Sequence, residues 1–466
     1  MHRGSAGGAA HRLDGEYAVS GTHLSRPPQQ ASASFVHNLV NAGGPWLARA
    51  IPAPAGRGRH GTRGRQAPRT AGHPRRRAPS TSASRRTSWP DDGGDSHRRP
   101  HRSAAAGCRS APYGPPRDRG RAPRRPGGGQ LVKAVVCTSS GTEVAEVPDP
   151  APRADEVVVE VSACGLCGSD VHAVERGLTT EGQILGHEFG GTVVETGSAV
   201  TGWRVGQPVA VDPLGSCGGC AECRRGLPFR CPAAPNLGIT APGGYARFAA
   251  VPQRQLVPLP DEVPLEWGAH AEPLAVALHA VGMAGVGPGD AALVFGVGTI
   301  GLNVVMALRT AGVDLVVGAG RSPGRRAAAR AVGADVVLDT RETSVRDHVA
   351  AGGRLFDAVL ECSASPGAVP ELLEVLAPGG SCVEVALSDE VAPVPLDALV
   401  ARGLRLGGSC AFDHAEFEAA VSLVVTGRVP AQHLVSERVG LAGTPDALVR
   451  LRRPGDLVRV LTVPGL

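Results

Sequence analysis

The sequence predicts an α/β protein that combines a mostly-β part with a parallel sheet covered by helices. From residue 132 to about residue 260, short β-branched stretches alternate with glycine-rich turns, which is typical of antiparallel strands. From Glu272 onward, apolar strands alternate with helical stretches, the order that builds a parallel sheet. The first 131 residues differ from both parts in composition and charge. We therefore expect a disordered extension followed by two folded parts.

Residues 1–131 are predicted to be this disordered extension, rich in arginine, proline and glycine. Residues 1–130 contain 23 arginines, no lysine and six acidic residues, a net charge of +17, whereas residues 131–466 carry 25 basic and 37 acidic residues, a net charge of −12. No apolar period runs through the extension, so burial cannot offset the entropy of ordering it. Three interpretations are open: a nucleic-acid-binding tail, a disordered spacer, or a misassigned start codon, with translation beginning near Val132 instead.

No membrane segment and no secretory signal are predicted. A signal peptide needs an apolar stretch of about 7–15 residues after its first charges, and none follows them here. A cytoplasmic location is therefore expected. Residues 291–308 carry no charge and are long enough to be mistaken for a membrane span. Three glycines within this stretch have the spacing G-x-G-x-x-G, which favours a buried strand, a tight turn and a helix instead.

The individual elements follow from the same patterns. The mostly-β part begins with the alternating strands VKAVVCT and EVVVEVSACG and continues through GGTVVETG and PVAV. In the second part the predicted strands are AALVF, DLVVGAG, VVL, DAVLEC and SCVEVAL. Three helices are predicted between these strands. The first ends at Thr310, the second contains RRAAARAVGA, and the third contains AVPELLEVLA. The last fifty residues return to a mixed pattern of one helix and short strands.

Four cysteines form a compact cluster with the spacing C-x2-C-x2-C-x7-C. They are Cys217, Cys220, Cys223 and Cys231. Such short spacings let four thiolates converge on one tetrahedral Zn²⁺ at ~2.3 Å, and a shell closed by four sulfurs makes the site structural. Disulfides are disfavoured because no secretory signal is present and the other cysteines are scattered. The cluster therefore predicts a structural zinc site.

A second group of potential metal ligands lies upstream of this cluster. Cys167 opens the segment CGSDVH, and His187 and Glu188 follow in GHEF. Zinc accepts thiolate, imidazole and carboxylate ligands, and a site with three protein ligands leaves a position for water or substrate. Taken singly, each residue is more often an ordinary core or loop side chain than a metal ligand. Glu272 opens an otherwise apolar helix and is either a further ligand or a partner of the helix dipole.

A glycine motif lies between a predicted strand and a predicted helix. Its residues are Gly296, Val297, Gly298, Thr299, Ile300 and Gly301. This context places the pyrophosphate of a dinucleotide at a helix N-terminus. An NAD site would have an acidic residue at the end of the next strand to bind the ribose diol, but Gly320 and Arg321 stand there. Because an arginine can bind a 2′-phosphate, NADP(H) is predicted in preference to NAD(H).

Five motifs together resemble one family. The five motifs are GLCGSDVH, GHEFGG, the four-cysteine segment, EPLAVALHA and GVGTIG. Their order and approximate spacing resemble those of the zinc-dependent medium-chain alcohol dehydrogenases, and most of all the branch of sorbitol, polyol and threonine dehydrogenases. The resemblance covers about residues 132–466. It implies a GroES-like catalytic domain formed by residues 132–275 and 410–466, with a Rossmann cofactor-binding domain at residues 276–409. It also implies a homo-oligomer, either a dimer or a tetramer.

The resemblance implies a role for each candidate ligand. Cys167 and His187 match two ligands of a catalytic zinc. The third protein ligand would be either Glu188 or Glu272. The four-cysteine cluster would hold a second, structural zinc.

The activity implied by the resemblance is hydride transfer between a small alcohol or polyol and a nicotinamide cofactor. Ser169 and His172 match the positions of a proton relay, and Asp170 matches a carboxylate that supports the metal ligands. Two alternatives are a quinone or enoyl reductase of the same fold, which would lack the ligands at Cys167 and His187, and a zinc- and nucleic-acid-binding protein. The latter would use the arginine-rich tail and the four-cysteine segment, which has no ladder of aromatic side chains for stacking. No nucleic-acid partner is therefore expected.

Overall fold

The computed structural model describes residues 130–225, 227–451, 453 and 455–466. The predicted extension therefore lies outside the described residues, apart from Gln130 and Leu131. Leu131 begins the first strand, one residue before the predicted start of the folded part. Within the described part of the chain, no helix is both long enough and apolar enough to cross a membrane.

A seven-stranded sheet and a two-stranded hairpin form the mostly-β part. The hairpin pairs β1 (Leu131–Thr138) with β2 (Gly141–Pro148) in antiparallel register. The other seven strands are β3 (Glu156–Gly165), β4 (Glu188–Thr196), β5 (Pro208–Val211), β6 (Phe248–Pro252), β7 (Leu256–Pro258), β14 (Val435–Val439) and β15 (Arg459–Thr462). Their order is β14-β15-β3-β4-β5-β7, with β6 paired to β3. The C-terminal strands thus pair with strands from the beginning of the folded chain, as the family resemblance implies.

A six-stranded parallel sheet forms the second part. Its strands are β8 (Ala291–Phe295), β9 (Leu315–Gly320), β10 (Val336–Asp339), β11 (Phe356–Glu361), β12 (Leu376–Glu384) and β13 (Arg405–Gly408). Their order is β10-β9-β8-β11-β12-β13, and every neighbouring pair is parallel. This is the 3-2-1-4-5-6 order of a doubly wound dinucleotide-binding sheet. The predicted fold class is confirmed.

Ten α-helices are found among the described residues. They are α1 (Gly168–Glu175), α2 (Ala221–Arg224), α3 (Ala271–Ala284), α4 (Thr299–Thr310), α5 (Pro323–Ala331), α6 (Val345–Ala350), α7 (Val369–Glu374), α8 (Leu396–Arg402), α9 (His414–Val425) and α10 (Thr444–Leu451). The charge-free stretch at residues 291–308 is strand β8 followed by most of α4, as predicted. The three domain boundaries stay predictions.

Apolar side chains cover both faces of the parallel sheet because successive residues of a strand point to opposite faces. In β8, Val294 belongs to a core shared with α3, α4 and α9, whereas Leu293 belongs to a core shared with α7. Burial on both faces explains why the strands of this sheet are continuous apolar stretches rather than alternating ones.

Some short elements were not predicted from the sequence. Helices α6 and α8 and strand β13 contain seven residues or fewer, too few to display a clear period. The predicted helix in AVPELLEVLA extends too far, because α7 ends at Glu374 and Leu376 already pairs with Phe356 of β11. Pairing with a neighbouring strand therefore decides where this helix ends.

Candidate functional site

The register of two neighbouring strands brings the upstream ligand candidates together. Strands β3 and β4 are antiparallel, and Gly165 at the end of β3 lies opposite Glu188 at the start of β4. Cys167 is the N-cap of α1, two residues beyond β3, and His187 directly precedes β4. One ligand atom each of Cys167, His187 and Glu188 lies within 4.8 Å of the other two. The sheet thus places a sulfur, an imidazole nitrogen and a carboxylate oxygen in one group, in which His187 and Glu188 are buried and Cys167 is partly exposed.

These three donors fit a zinc ion. Ligands at ~2.0–2.3 Å from one tetrahedral ion lie ~3.3–3.8 Å apart, so small side-chain rotations would close the group around it. Burial raises the pKa of the Cys167 thiol, and the neighbouring Glu188 charge raises that pKa further. A bound cation would reverse this effect because metal coordination favours the thiolate.

His187 is oriented by a buried carboxylate on α1. Its Nδ1 lies 3.3 Å from Oδ1 of Asp170, which is 2% exposed. The other oxygen of Asp170 lies 2.6 Å from the hydroxyl of Tyr245 and 3.3 Å from the backbone N–H of Cys167. Burial alone would lower the pKa of His187, but the charges of Asp170 and Cys167 outweigh burial and raise it well above its usual value. Asp170 therefore leaves Nε2 of His187 as the nitrogen available to a metal.

Glycine before His187 is required by the approach of Tyr245. Gly186 has a φ of +90°, and a Cβ there would lie 2.6 Å from the Tyr245 ring and 2.8 Å from the Cys164 sulfur. Only glycine accommodates both this conformation and this contact. Sequence reasoning missed Tyr245, which is 75 residues from Asp170 and belongs to no motif.

The two glutamate candidates differ in position. Glu188 belongs to the group of three ligand atoms, whereas Glu272 lies outside it. Glu188 also pairs with Arg459 of β15, with Oε2 2.7 Å from Nη1, and both side chains are at most 1% exposed. Burial raises the pKa of Glu272 to about 8, although the His187 charge opposes this shift. Which glutamate completes the ligand set stays a prediction.

Sequence reasoning also missed Arg459. An arginine inside the apolar strand VRVLTV was the available indication, because a buried charge needs a partner. Its guanidinium also donates a hydrogen bond to the carbonyl oxygen of Ala269. Arg459 therefore ties the C-terminal strand to the group around Glu188.

In protein without metal at the Cys167 site, we expect Arg459→Met to lower the free energy of unfolding by about 3–5 kcal/mol, because it leaves the Glu188 carboxylate buried without its partner. The measurement is urea denaturation followed by tryptophan fluorescence. Arg450→Met removes an arginine that pairs with Glu437 at the surface, so it serves as a control that costs about 1 kcal/mol or less. Glu188→Gln combined with Arg459→Met should recover most of the loss. A double variant as unstable as Arg459→Met would contradict the charge argument.

The two proton-relay candidates lie on one helix. Ser169 and His172 are three residues apart on α1, which places them on the same face. The Ser169 hydroxyl donates to the Cys167 sulfur at 3.2 Å. The ring of His172 is half-buried and has no hydrogen-bond partner in the described part of the chain. Both side chains are therefore available to a ligand near Cys167.

The four-cysteine cluster is assembled around α2 and the turn after it. The sulfurs of Cys217, Cys220, Cys223 and Cys231 lie within 4.8 Å of one another, and all ten described cysteines are free thiols. Cys220 Sγ is 3.8 Å from Cys231 Sγ, which equals the ~3.8 Å edge of a tetrahedron with Zn–S bonds of ~2.3 Å. Backbone N–H groups of Gly219 and Cys220 lower the pKa of Cys217 to about 6. These four residues fit a structural zinc ion.

The glycine motif forms a cradle at the carboxyl end of the parallel sheet. β8 ends at Phe295, Gly296 has a φ of +97°, and Gly298 is the N-cap of α4. A Cβ on Gly301 would collide with the Gly296 carbonyl oxygen. The turn therefore fits close approach of a pyrophosphate to the first N–H groups of α4.

A cleft of about 890 Å³ extends from this cradle to the end of β9. Its lining includes Gly296, Val297, Gly298, Gly320 and Arg321. Thr299, Ile300 and Gly301 form the first turn of α4 beside it. The Arg321 side chain is exposed and has no ion-pair partner within the described chain segments. In contrast, Arg326 and Arg341 both pair with Asp339.

Comparison with known proteins agrees with this geometry. The family model of the alcohol dehydrogenase GroES-like domain matches residues 153–261, and that of zinc-binding dehydrogenases matches residues 299–426. A sorbitol dehydrogenase of Halalkalibacterium halodurans is 31% identical over 342 residues, which cover 72% of this chain and 99% of the relative. An L-threonine 3-dehydrogenase of Xanthomonas campestris is 32% identical over 285 residues, covering 59% of this chain and 84% of the relative.

A solved structure shows the same fold with a cofactor in place. It is a putative zinc-binding dehydrogenase from Sinorhizobium meliloti bound to NADP, 32% identical, with a TM-score of 0.68 over 72% of this chain and 100% of that chain. The comparisons favour neither the nucleic-acid-binding protein nor the quinone or enoyl reductase. Both the predicted family and the predicted branch are confirmed. The chain is an oxidoreductase that belongs to the zinc-dependent medium-chain alcohol dehydrogenase family.

Proposed function

We propose that this oxidoreductase interconverts a small alcohol or polyol and its carbonyl product, with a catalytic zinc and a nicotinamide dinucleotide as cofactors. The observation that carries the proposal is the group of Cys167, His187 and Glu188, together with the Asp170 carboxylate 3.3 Å from Nδ1 of His187. Three protein ligands leave a fourth position for a substrate oxygen. The names of the sorbitol and threonine dehydrogenase relatives support a hydroxyl-bearing substrate.

Bound zinc would supply Lewis acidity to the substrate oxygen, and bound nicotinamide would accept or donate the hydride. The protein's own residues orient and connect these groups. Asp170 lies 3.3 Å from Nδ1 of His187, so that Nε2 is the ring nitrogen left for the metal site. Ser169 and His172, on one face of α1, would pass the substrate's hydroxyl proton toward solvent.

A second zinc is proposed for the four-cysteine cluster. The 3.8 Å sulfur separation and the mutual approach of all four sulfurs to within 4.8 Å support a closed thiolate shell. Because four cysteines leave no open position, this zinc would stabilise the fold and would not contact substrate. Metal analysis of the full chain should therefore find about two zinc ions per chain.

The experiment that tests the proposal is a screen of sugars, polyols, amino alcohols and simple alcohols with NAD⁺ and NADP⁺. We expect oxidation of at least one class, loss of activity after treatment with a chelator, and recovery with Zn²⁺. A zinc-free protein that turns over none of these substrates with either cofactor would refute the proposal. Assembly into a dimer or tetramer and a cytoplasmic location are proposed from the family resemblance alone.

We further propose a preference for NADP(H), because β9 ends without an acidic residue and Arg321 has no ion-pair partner among the described residues. A hydrogen bond to a charged group contributes ~1.5–3 kcal/mol, or about 10- to 150-fold in affinity. Arg321→Ala should therefore lower kcat/KM for NADP⁺ by at least about tenfold and leave that for NAD⁺ nearly unchanged. Steady-state kinetics with both cofactors measure this.

The matched control is Arg330→Ala, which removes an arginine that lies on α5, outside the lining of the cleft. Gly320→Asp is a less direct test because a Cβ at residue 320 would lie 2.6 Å from Val297 Cγ2. Equal or better use of NAD⁺ by the unmodified enzyme would contradict the preference.

A further inference from the structure

A carboxylate from the C-terminal segment lies at the first turn of α5. Asp456 Oδ1 accepts hydrogen bonds from the Ser322 hydroxyl and from the backbone N–H of Gly324, the latter at 2.9 Å. Asp456 is 134 residues from Ser322 in the chain. It lines the same 890 Å³ cleft as the glycine motif and Arg321. An acidic residue absent from β9 is thus supplied by a remote segment.

The contact belongs to a continuous attachment of this segment to the cofactor-binding part. Arg325 Nε donates to the carbonyl oxygen of Leu457 at 3.0 Å, and the Thr299 hydroxyl donates to that of Val458. A Cβ on Gly324 would lie 2.7 Å from the Asp456 side chain, so the carboxylate is packed directly against the helix start. Three consecutive residues, 456–458, therefore contact the cofactor-binding part, and Asp456 also lines the cleft.

The position is one that favours anions. Ser322 is the N-cap of α5, and the first N–H groups of a helix attract negative charge. The hydrogen bonds from Ser322 and Gly324 lower the pKa of Asp456, so its carboxylate is ionised at neutral pH. In a doubly wound fold, the groups just after the second strand contact the 2′ position of the adenosine ribose. Ser322 and Gly324 are therefore donors that a 2′-phosphate at the end of β9 could use.

We infer that Asp456 is a specificity-determining residue that competes with the 2′-phosphate of NADP(H) for Ser322 and Gly324. This inference rests on the proposed dinucleotide-dependent function. A 2′-phosphate has to displace the Asp456 carboxylate or accept its repulsion, whereas the ribose hydroxyls of NAD(H) carry no charge. Asp456 therefore opposes the attraction exerted by Arg321, and the balance of these two residues sets the cofactor preference.

The test is isothermal titration calorimetry of the full chain with 2′,5′-ADP and with 5′-ADP, which differ in carrying or lacking the 2′-phosphate. Asp456→Asn and Asp456→Ala should each tighten binding of 2′,5′-ADP by at least about tenfold, since they remove a like charge in contact with the phosphate. Binding of 5′-ADP should change by less than about twofold. The matched control is Asp446→Asn, which removes the same charge from α10 and should alter neither affinity.

Each outcome decides a separate point. Unchanged binding of 2′,5′-ADP in both Asp456 variants would overturn the inference while leaving the proposed function intact. Weaker binding of 5′-ADP would also overturn it, since Asp456 would then hold the ribose hydroxyls. A full chain that binds neither nucleotide would instead refute the dinucleotide-dependent function itself. Tighter binding of 2′,5′-ADP alone supports the competition.

Discussion

Cys167→Ala is expected to reduce turnover by a factor of about 10³ or more while leaving a folded protein with one zinc ion fewer per chain. A Lewis acid contributes several kcal/mol of transition-state stabilisation, and Cys167 is the only sulfur in the buried ligand group. Removing it leaves His187 and one glutamate, either Glu188 or Glu272, too few ligands to hold zinc in a defined geometry. The measurements are kcat on the best substrate, zinc content and circular dichroism.

Cys137→Ala is the matched control for this variant. Cys137 is a buried cysteine on β1, 1% exposed, that belongs to neither ligand group. Its replacement removes a sulfur from the core and should leave zinc content and kcat within about twofold of the unmodified enzyme. A Cys167→Ala enzyme that keeps its turnover would show that the catalytic assignment is wrong.

Cys223→Ala is expected to act on folding instead of chemistry. Metal binding at a structural site contributes folding free energy directly, with apparent values of about 10–16 kcal/mol in zinc-finger peptides. Loss of one of the four sulfurs should remove the second zinc and lower the Tm by at least about 10 °C. Differential scanning calorimetry together with metal analysis measures both effects.

Cys410→Ala is the corresponding control, because Cys410 is an exposed thiol outside the cluster. It should leave Tm and zinc content unchanged. If Cys223→Ala retained two zinc ions per chain and its Tm, the cluster would not be a structural zinc site. Cys167→Ala and Cys223→Ala together distinguish the two zinc sites, because Cys167→Ala should lose activity and Cys223→Ala should lose stability.

Local patterns in the sequence were sufficient for much of this protein. The fold class follows from the change from short alternating strands to alternating strands and helices at Glu272, because each pattern is visible within a few residues. The four-cysteine cluster spans residues 217–231 and the glycine motif spans residues 296–301. Spacing within one turn or loop limits how such residues can be arranged, so both could be recognised without a structure. Helix ends were less predictable, as α7 shows, because strand pairing decides them.

Contacts between distant parts of the chain were decided only by the tertiary structure. The register of β3 and β4 brings Cys167 beside His187, and the packing of separate segments brings Tyr245 onto Asp170. Strand β15 carries Arg459 to Glu188, and the residues just before it carry Asp456 to Ser322. None of these partners is within 15 residues of the other along the chain. Sheet order and register determine such contacts, and local composition does not encode them because it limits only near neighbours.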